Sequence, residues 1–474
     1  MKIMYKKILA VSMVTLVLAG TSCKDTLDVQ PKQSLDAAAA LTDFASVNAI
    51  SVSLYSRAQS FNYYGQRMLI APDVLADNYT ITANSGGRYV GERINAPGSH
   101  IDLWGTLYPA INEANFIITN VDKVSAAQAD KDALKGQALF MRAMFNHDML
   151  KTYSYEPGLE VNGFGEGIVI RTLPTDDVTK ADFKPRAKIA EVYALIESDL
   201  KQAATLLPVT VTGAGVFRAS KGAAFALLAR VYLFQTKWAE AEQAASDAIT
   251  NKQSATSLAT ASTYIASFAS VPNRESMFEL DYRTEQFSTV DGINNSMNSL
   301  TQKTTGGVFA VRATTELLNS FETGDVRRAA FDQTLDGGSM VSYSLKFPAH
   351  KGNYFNNIPV IRLSEVYLIR AEARAKQAKD ALAQADLTTL RTNRGLAAVP
   401  ASTTGTALLD LIFNERRVEL HLEGHRFFDI KRRGLNISKP AGIPTLLYTD
   451  FKLLAPLPSA QVLLNPLIKQ NPGY

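Results

Sequence analysis

The sequence predicts a mainly α fold, a tetratricopeptide-like helical repeat scaffold carrying long, loop-rich insertions. Three observations carry that expectation. Residues 221–249 place Ala229, Tyr232, Ala241 and Ala248 at the small and aromatic positions where paired antiparallel helices approach closely. Residues 363–376, 381–385 and 387–394 repeat the device with looser spacing. Between the helical segments, residues 73–100 and 250–360 are rich in Ser, Thr, Asn and Gly with scattered aromatics, and loops of that length inside a compact domain usually carry function.

Taken in order, the chain opens on Lys2, Lys6 and Lys7, an apolar run from Ile8 to Leu18, and the small residues Ala19-Gly20-Thr21-Ser22 before Cys23. That run is shorter than the ~20 apolar residues a spanning helix needs and fits a secretory signal over residues 1–22. Cys23, the single cysteine of the chain, stands where a thiol is acylated in an exported lipoprotein. The alternative is an ordinary leader with an incidental cysteine. Residues 23–40 are polar and short of core residues, and read as a tether. Apolar recurrence at i, i+3 and i+4 predicts helices over 104–121 and 132–153, and a further helix over 189–207 is ended by Pro208.

Composition narrows the function. The apolar fraction of 46% and charged fraction of 20% are those of a globular protein. Without the three leader lysines the formal charge of +4 falls to +1, which argues against nucleic-acid binding through a broad basic footprint. With no second cysteine, packing rather than disulfides must stabilise an exported chain. No glycine-rich phosphate loop stands in a strand–helix context, so no nucleotide cofactor is expected.

The densest charge pattern runs from Glu415 to Gly434. Glu415, Glu419 and Glu423 recur every four residues, as if on one helix face, with Arg416 and Arg426 close enough to pair with them and Asp429. Such carboxylates stay ionised beside arginine and are unsuited to acid catalysis, so the pattern reads as a partly buried ion-pair ladder with Leu420 and Phe427 facing the core. His421 and His425 lack the glutamate that directly follows the first histidine in a zinc-hydrolase helix, Glu423 coming two residues after it, and no metal site is expected. In the insertions, aromatics flanked by polar residues suit a sugar face, where a ring stacks on C–H groups and its neighbours bond hydroxyls. Asn78-Tyr79 with Arg88-Tyr89, and Arg283 with Gln286-Phe287, are the expected ligand contacts. For any single one of them, local loop packing is the alternative.

The stretch Glu415, Arg416, Glu419, Leu420, Glu423, Gly424, Arg426, Asp429, Ile430, Arg432 and Gly434 resembles the E-R-x-x-E-L-x-x-E-G-x-R-x-x-D-L-x-R-x-G signature of the SusD/RagB family of Bacteroidetes surface lipoproteins. Ile361-Arg362-Leu363-Ser364-Glu365-Val366-Tyr367-Leu368, the terminus from Leu454 to Tyr474, and Trp104 through Asn115 are similar to further family segments in the same order.

The resemblance implies a non-enzymatic, outer-membrane lipoprotein, lipidated at Cys23 and facing outward, without cofactor. It would capture oligosaccharides and pass them to a SusC-like TonB-dependent transporter. It implies a helical-repeat part over 41–250 and a C-terminal part with ligand-binding insertions over 251–474. A RagB-like peptide-binding lipoprotein is the alternative. A surface glycoside hydrolase, with Asp77 and Asp281 or Asp291 as its carboxylate pair, is a more distant one.

Overall fold

The computed structural model describes residues 43–175, 179, 182–440 and 442–474. Cys23, the leader and the tether lie outside the described residues.

Helices dominate. The longer ones are α1 (Phe44–Ala58), α2 (Arg67–Leu75), α3 (Trp104–Asn120), α4 (Gln128–Tyr153), α5 (Ile189–Leu206), α6 (Lys221–Phe234), α7 (Trp238–Thr250), α8 (Leu363–Lys376), α9 (Asp380–Thr392) and α10 (Gly405–Glu419). From α3 to α9 each helix packs on the next, α7 docking on α8 across the long insertion, while α1 closes against α3 and α4. Residues that sequence spacing paired into hairpins are thus the ones that meet.

Local chemistry explains the boundaries. The Ser220 hydroxyl accepts from the Ala223 N–H and caps α6. The turn into α7 places Thr236 at φ 56°. Ala241, Ala244, Ala245 and Ala248 are all buried along α7, so the two backbones approach with little side-chain bulk between them. α4 is the central rod. Every residue from Ala138 to Tyr153 is buried, as in a helix enclosed on all sides. Its buried Arg142 is matched by a two-bond pair to Asp199, at 2.8 and 2.7 Å. Most buried apolar residues, from Val47 to Ile468, form one main core, with a smaller cluster between α8, α9 and α10 and two more in the 250–360 insertion, each buried Leu or Phe contributing about 1.5–3 kcal/mol by leaving water.

Among the described residues six short strands make three antiparallel pairs: β1 (Tyr79–Ile81) with β3 (Val311–Ala313), β2 (Ser276–Leu280) with β6 (Ile358–Arg362), and β4 (Phe331–Asp336) with β5 (Ser339–Ser344). The first pair, Tyr79 opposite Ala313, stitches the 73–100 insertion to the 250–360 insertion.

One element differs from the sequence expectation. The Glu415–Gly434 stretch is not one helix. α10 ends at Glu419, the chain turns through Leu422 (φ 58°) and Gly424 (φ 84°), and a second helix covers Arg426–Lys431. Gly424 permits that turn because a Cβ there would sit 2.5 Å from the Met68 carbonyl oxygen.

Candidate functional site

The three signature glutamates converge despite the break, but on partners other than those expected. Glu419 receives Arg394 through two bonds of 2.9 Å, Arg362 at 2.8 Å and Arg327 at 3.2 Å. Glu415 receives Arg327 at 2.7 Å. Glu423 receives Arg362 at 2.7 and 2.8 Å and Lys346 at 2.7 Å. Arg416 instead bonds Asp429 at 3.0 Å, and Arg426 clamps Asp77 at 2.7 and 2.8 Å. Burial pushes the Glu419 carboxyl up, yet Arg394 and Arg362 beside it hold it well below the usual carboxylate range. Leu420 and Phe427 are buried as expected. This is a structural lock fixing the insertions to the repeats, in which Glu415, Glu419 and Glu423 are each paired with arginine.

The histidines are also occupied by packing. His421 Nδ1 lies 3.1 Å from the Tyr79 hydroxyl and its ring stacks on Phe331. Burial pushes His425 down to about 4. Among the described residues no cluster of three or more His, Cys, Asp or Glu side chains is arranged to hold a metal.

Fixed in this way, the insertions form a loop face at the end of α1. Four rings, Phe61, Tyr282, Phe287 and Phe355, make its backing, with Phe287 and Phe355 centroids 4.8 Å apart and Tyr282 stacked on Phe355 at 13°. On one side Arg88 donates to Asn294, and Asn353 and Tyr354 bond back to Phe287 and Thr305. On the other side lies a cleft of about 470 Å³. Val52, Tyr55, Ser56 and Gln59 of α1 form one wall, Phe217 and Arg218 of the α5–α6 loop another, and Asp281, Arg283 and Gln286 a third. Gln59 Nε2 donates to the Asp281 carbonyl at 2.9 Å, and the Tyr282 hydroxyl donates to the Gln59 carbonyl at 3.0 Å, so α1 and the third wall hold each other. The Arg218 guanidinium lies over the Tyr55 ring, 4.1 Å from its centroid.

The seven expected contact residues divide. Arg283 and Gln286 are exposed and line the cleft, and Phe287 is half-buried behind them. Arg88 is half-buried across the ring cluster. Asn78, Tyr79 and Tyr89 are buried. Asn78 donates to Asp73 and accepts from Arg417, Tyr79 holds His421, and the Tyr89 ring sits under Arg67. These three side chains are packed beneath the loops, Tyr79 on the strand paired with β3 and Asn78 and Tyr89 on either side of that strand.

Comparison with known proteins decides the family. Residues 25–233 match the family described as starch-binding associating with outer membrane, and residues 340–474 match the SusD family. The chain belongs to the SusD/RagB family. A candidate sugar-binding protein from Bacteroides vulgatus is similar over 92% of this chain and 99% of its own, with 28% identity and a TM-score of 0.80. A SusD superfamily protein from Bacteroides thetaiotaomicron, also at TM-score 0.80, is 26% identical over 91% of this chain and 100% of its own. The SusD-like protein P2 of Formosa agariphila is 24% identical over 420 residues, 78% of this chain and 80% of that protein.

The SusD/RagB signature therefore maps to the lock and not to the cleft. Sequence reasoning missed Tyr55, Gln59 and Arg218. Tyr55 reads as an ordinary core position of α1, and Arg218 as a lone loop charge. Their meeting depends on the packing of α1 against the α5–α6 loop, for which the only local signal is an arginine next to the Ser220 cap.

Proposed function

We propose that this chain is a non-enzymatic, surface-exposed glycan-binding lipoprotein. It captures oligosaccharides and passes them to a SusC-like TonB-dependent transporter of the outer membrane. The observation that carries the reading is the cleft at the end of α1, in which half-buried Phe217 and the Arg218 guanidinium plane stacked on Tyr55 offer flat surface while exposed Ser56 and Gln286 offer hydrogen bonds. Membership of a family described as starch-binding and similarity to a candidate sugar-binding protein support the ligand class.

The carboxylates of the hydrolase alternative are engaged elsewhere. Asp77 is held by Arg426 and Arg417, Asp281 pairs with Lys351 at 3.0 Å, and Asp291 caps the helix Thr289–Asn295 through Ser288. No helix among the described residues is long and apolar enough to cross a membrane. Anchoring is assigned to acyl chains on Cys23 after removal of residues 1–22, with residues 23–40 as tether.

Calorimetry and affinity electrophoresis against a glycan panel test the capture step. Binding to at least one glycan, weakened by Gln286→Ala, is expected; no binding to any glycan, or release of reducing ends, defeats the reading. Cys23→Ala should release folded protein from the membrane fraction. Retention of that variant would place the anchor elsewhere.

A further inference from the structure

Resting on the glycan-binding reading above, we propose that the sugars this cleft prefers are anionic, carrying a carboxylate or sulfate that Arg218 and Arg283 receive. The contrast with the rest of the molecule motivates this. Arg230, Arg327, Arg362, Arg394 and Arg432 are each saturated by carboxylates at 2.6–3.2 Å. In the cleft the pattern reverses. Arg218 makes no ion pair among the described residues, and its plane is held on the Tyr55 ring. Arg283 has only a 3.7 Å contact with Asp281 and a side chain 71% exposed.

The acid that should neutralise the cleft is already taken. Asp281 is shared, one oxygen 3.0 Å from Lys351 Nζ and the other 3.7 Å from Arg283 Nε, which leaves two guanidinium groups facing the same volume with a single divided carboxylate, and Arg218 without one among the described residues. A guanidinium presents a planar fork of N–H donors that matches the paired oxygens of a carboxylate or sulfate. Arg218 is the better prepared of the two. Its stacking on Tyr55 limits rotamer freedom before a ligand arrives, so less ordering remains for binding. Ser56 and Gln286, neutral, exposed and able to donate and accept, complete the wall for hydroxyls of the same sugar. The cleft volume of about 470 Å³ lies within the ~300–1,000 Å³ of small-ligand sites.

The test uses the mature full chain and paired ligands: oligogalacturonate against its carboxyl-reduced form, and a sulfated galactan oligosaccharide against its desulfated form, each by calorimetry at low and high salt. The expected result is an affinity at least about tenfold higher for one charged member of a pair than for its neutral form, equivalent to about 1.4 kcal/mol. That advantage should shrink as salt rises. Arg218→Gln and Arg283→Gln should erase it, read in each variant as the ratio of the affinities for the charged and neutral members, which should fall to about one. Arg218→Lys, which keeps the charge but loses the fork, should retain only part of it. The arm that responds distinguishes uronate from sulfate. Equal affinity within both pairs, or a charge preference indifferent to both arginine substitutions, overturns the anionic assignment and leaves glycan binding standing. Failure to bind any sugar, charged or neutral, overturns the glycan reading itself. Binding of an acidic peptide alone overturns both.

Discussion

Arg394 and Glu419 meet as a parallel two-bond ion pair, Nε to Oε2 and Nη2 to Oε1 both at 2.9 Å, with neither side chain exposed to solvent. The pair is one rung of a lattice in which Arg362 and Arg394 also share Glu275, at 2.8 and 2.7 Å. Such a lattice is stable only when complete, since each charge has given up its hydration for its partners. Glu419→Gln leaves three arginines with an unbalanced buried charge and should cost about 3–5 kcal/mol. Urea unfolding should show a lower midpoint with unchanged slope. A midpoint equal to that of the parent chain would mean that the lattice contributes no net stability.

Stability should depend on pH in two regimes. Burial pushes His100 and His147 down to about 3 and His425 to about 4. These histidines stay neutral in the fold but protonate near 6.5 when unfolded, so acidification below that point destabilises the protein. Burial pushes Asp73 and Glu279 up to about 7. Their contribution has the opposite sign, present below the unfolded carboxylate range and lost as pH rises toward 7. The two groups offset only in part between pH 6.5 and 4.5, because burial pushes His421 down as well and the histidines outnumber the two acids. Below that window the depressed carboxylates dominate. Burial raises Glu365, but Arg230 beside it brings it down to about 2, so its stability is full above about 4.5 and lost as pH falls toward 2. Thermal midpoints should therefore fall gently from pH 6.5 to 4.5 and steeply below. A midpoint that rises from pH 6.5 to 4.5 would mean that the two acids outweigh the histidines.

Gly292 controls the seating of the 349–355 loop. A Cβ at that position would collide with the Asn353 carbonyl oxygen, and Asn353 and Tyr354 already hold φ of 49° and 70°. Little slack remains to absorb a methyl group. Gly292→Ala should destabilise by about 1–3 kcal/mol and loosen Phe355 from the four-ring backing. Limited proteolysis should then cut near Asn353 faster than in the parent chain. Identical cleavage rates would show that the loop accommodates the methyl.

How far these features could be read from sequence follows the range of the interactions. The repeat helices were legible because their signals are local: Pro208 as a stop, and Ala241 and Ala248 at the small positions of α7. The ion-pair character of Glu415, Glu419 and Glu423 was legible too. Their partners were not, since Arg327 and Arg362 lie 92 and 57 residues from Glu419. The candidate site shows the same limit. Arg283 and Gln286 follow a strand and face solvent, as their polarity implies. Asn78 and Tyr79 carry the same polar–aromatic signature, and only the long-range pairing of β1 with β3 decides that they turn inward.

Tyr79 and Gln286 should therefore respond in opposite ways to mutation. Tyr79→Phe keeps the buried ring and removes one hydrogen bond, that to His421 Nδ1 at 3.1 Å. The loss leaves a buried imidazole nitrogen without its partner and should cost about 1–3 kcal/mol of stability. Because the ring is 1% exposed, affinity for a bound glycan should not change. Gln286→Ala removes an exposed amide from the cleft wall. Its thermal midpoint should stay that of the parent chain while its affinity falls about tenfold, the effect of losing roughly 1.4 kcal/mol of contact. Calorimetry and thermal unfolding on the two variants separate the roles. Weakened binding in a fully stable Tyr79→Phe would place the ligand against β1, and would move the site from the cleft to the Arg88 side of the four-ring backing.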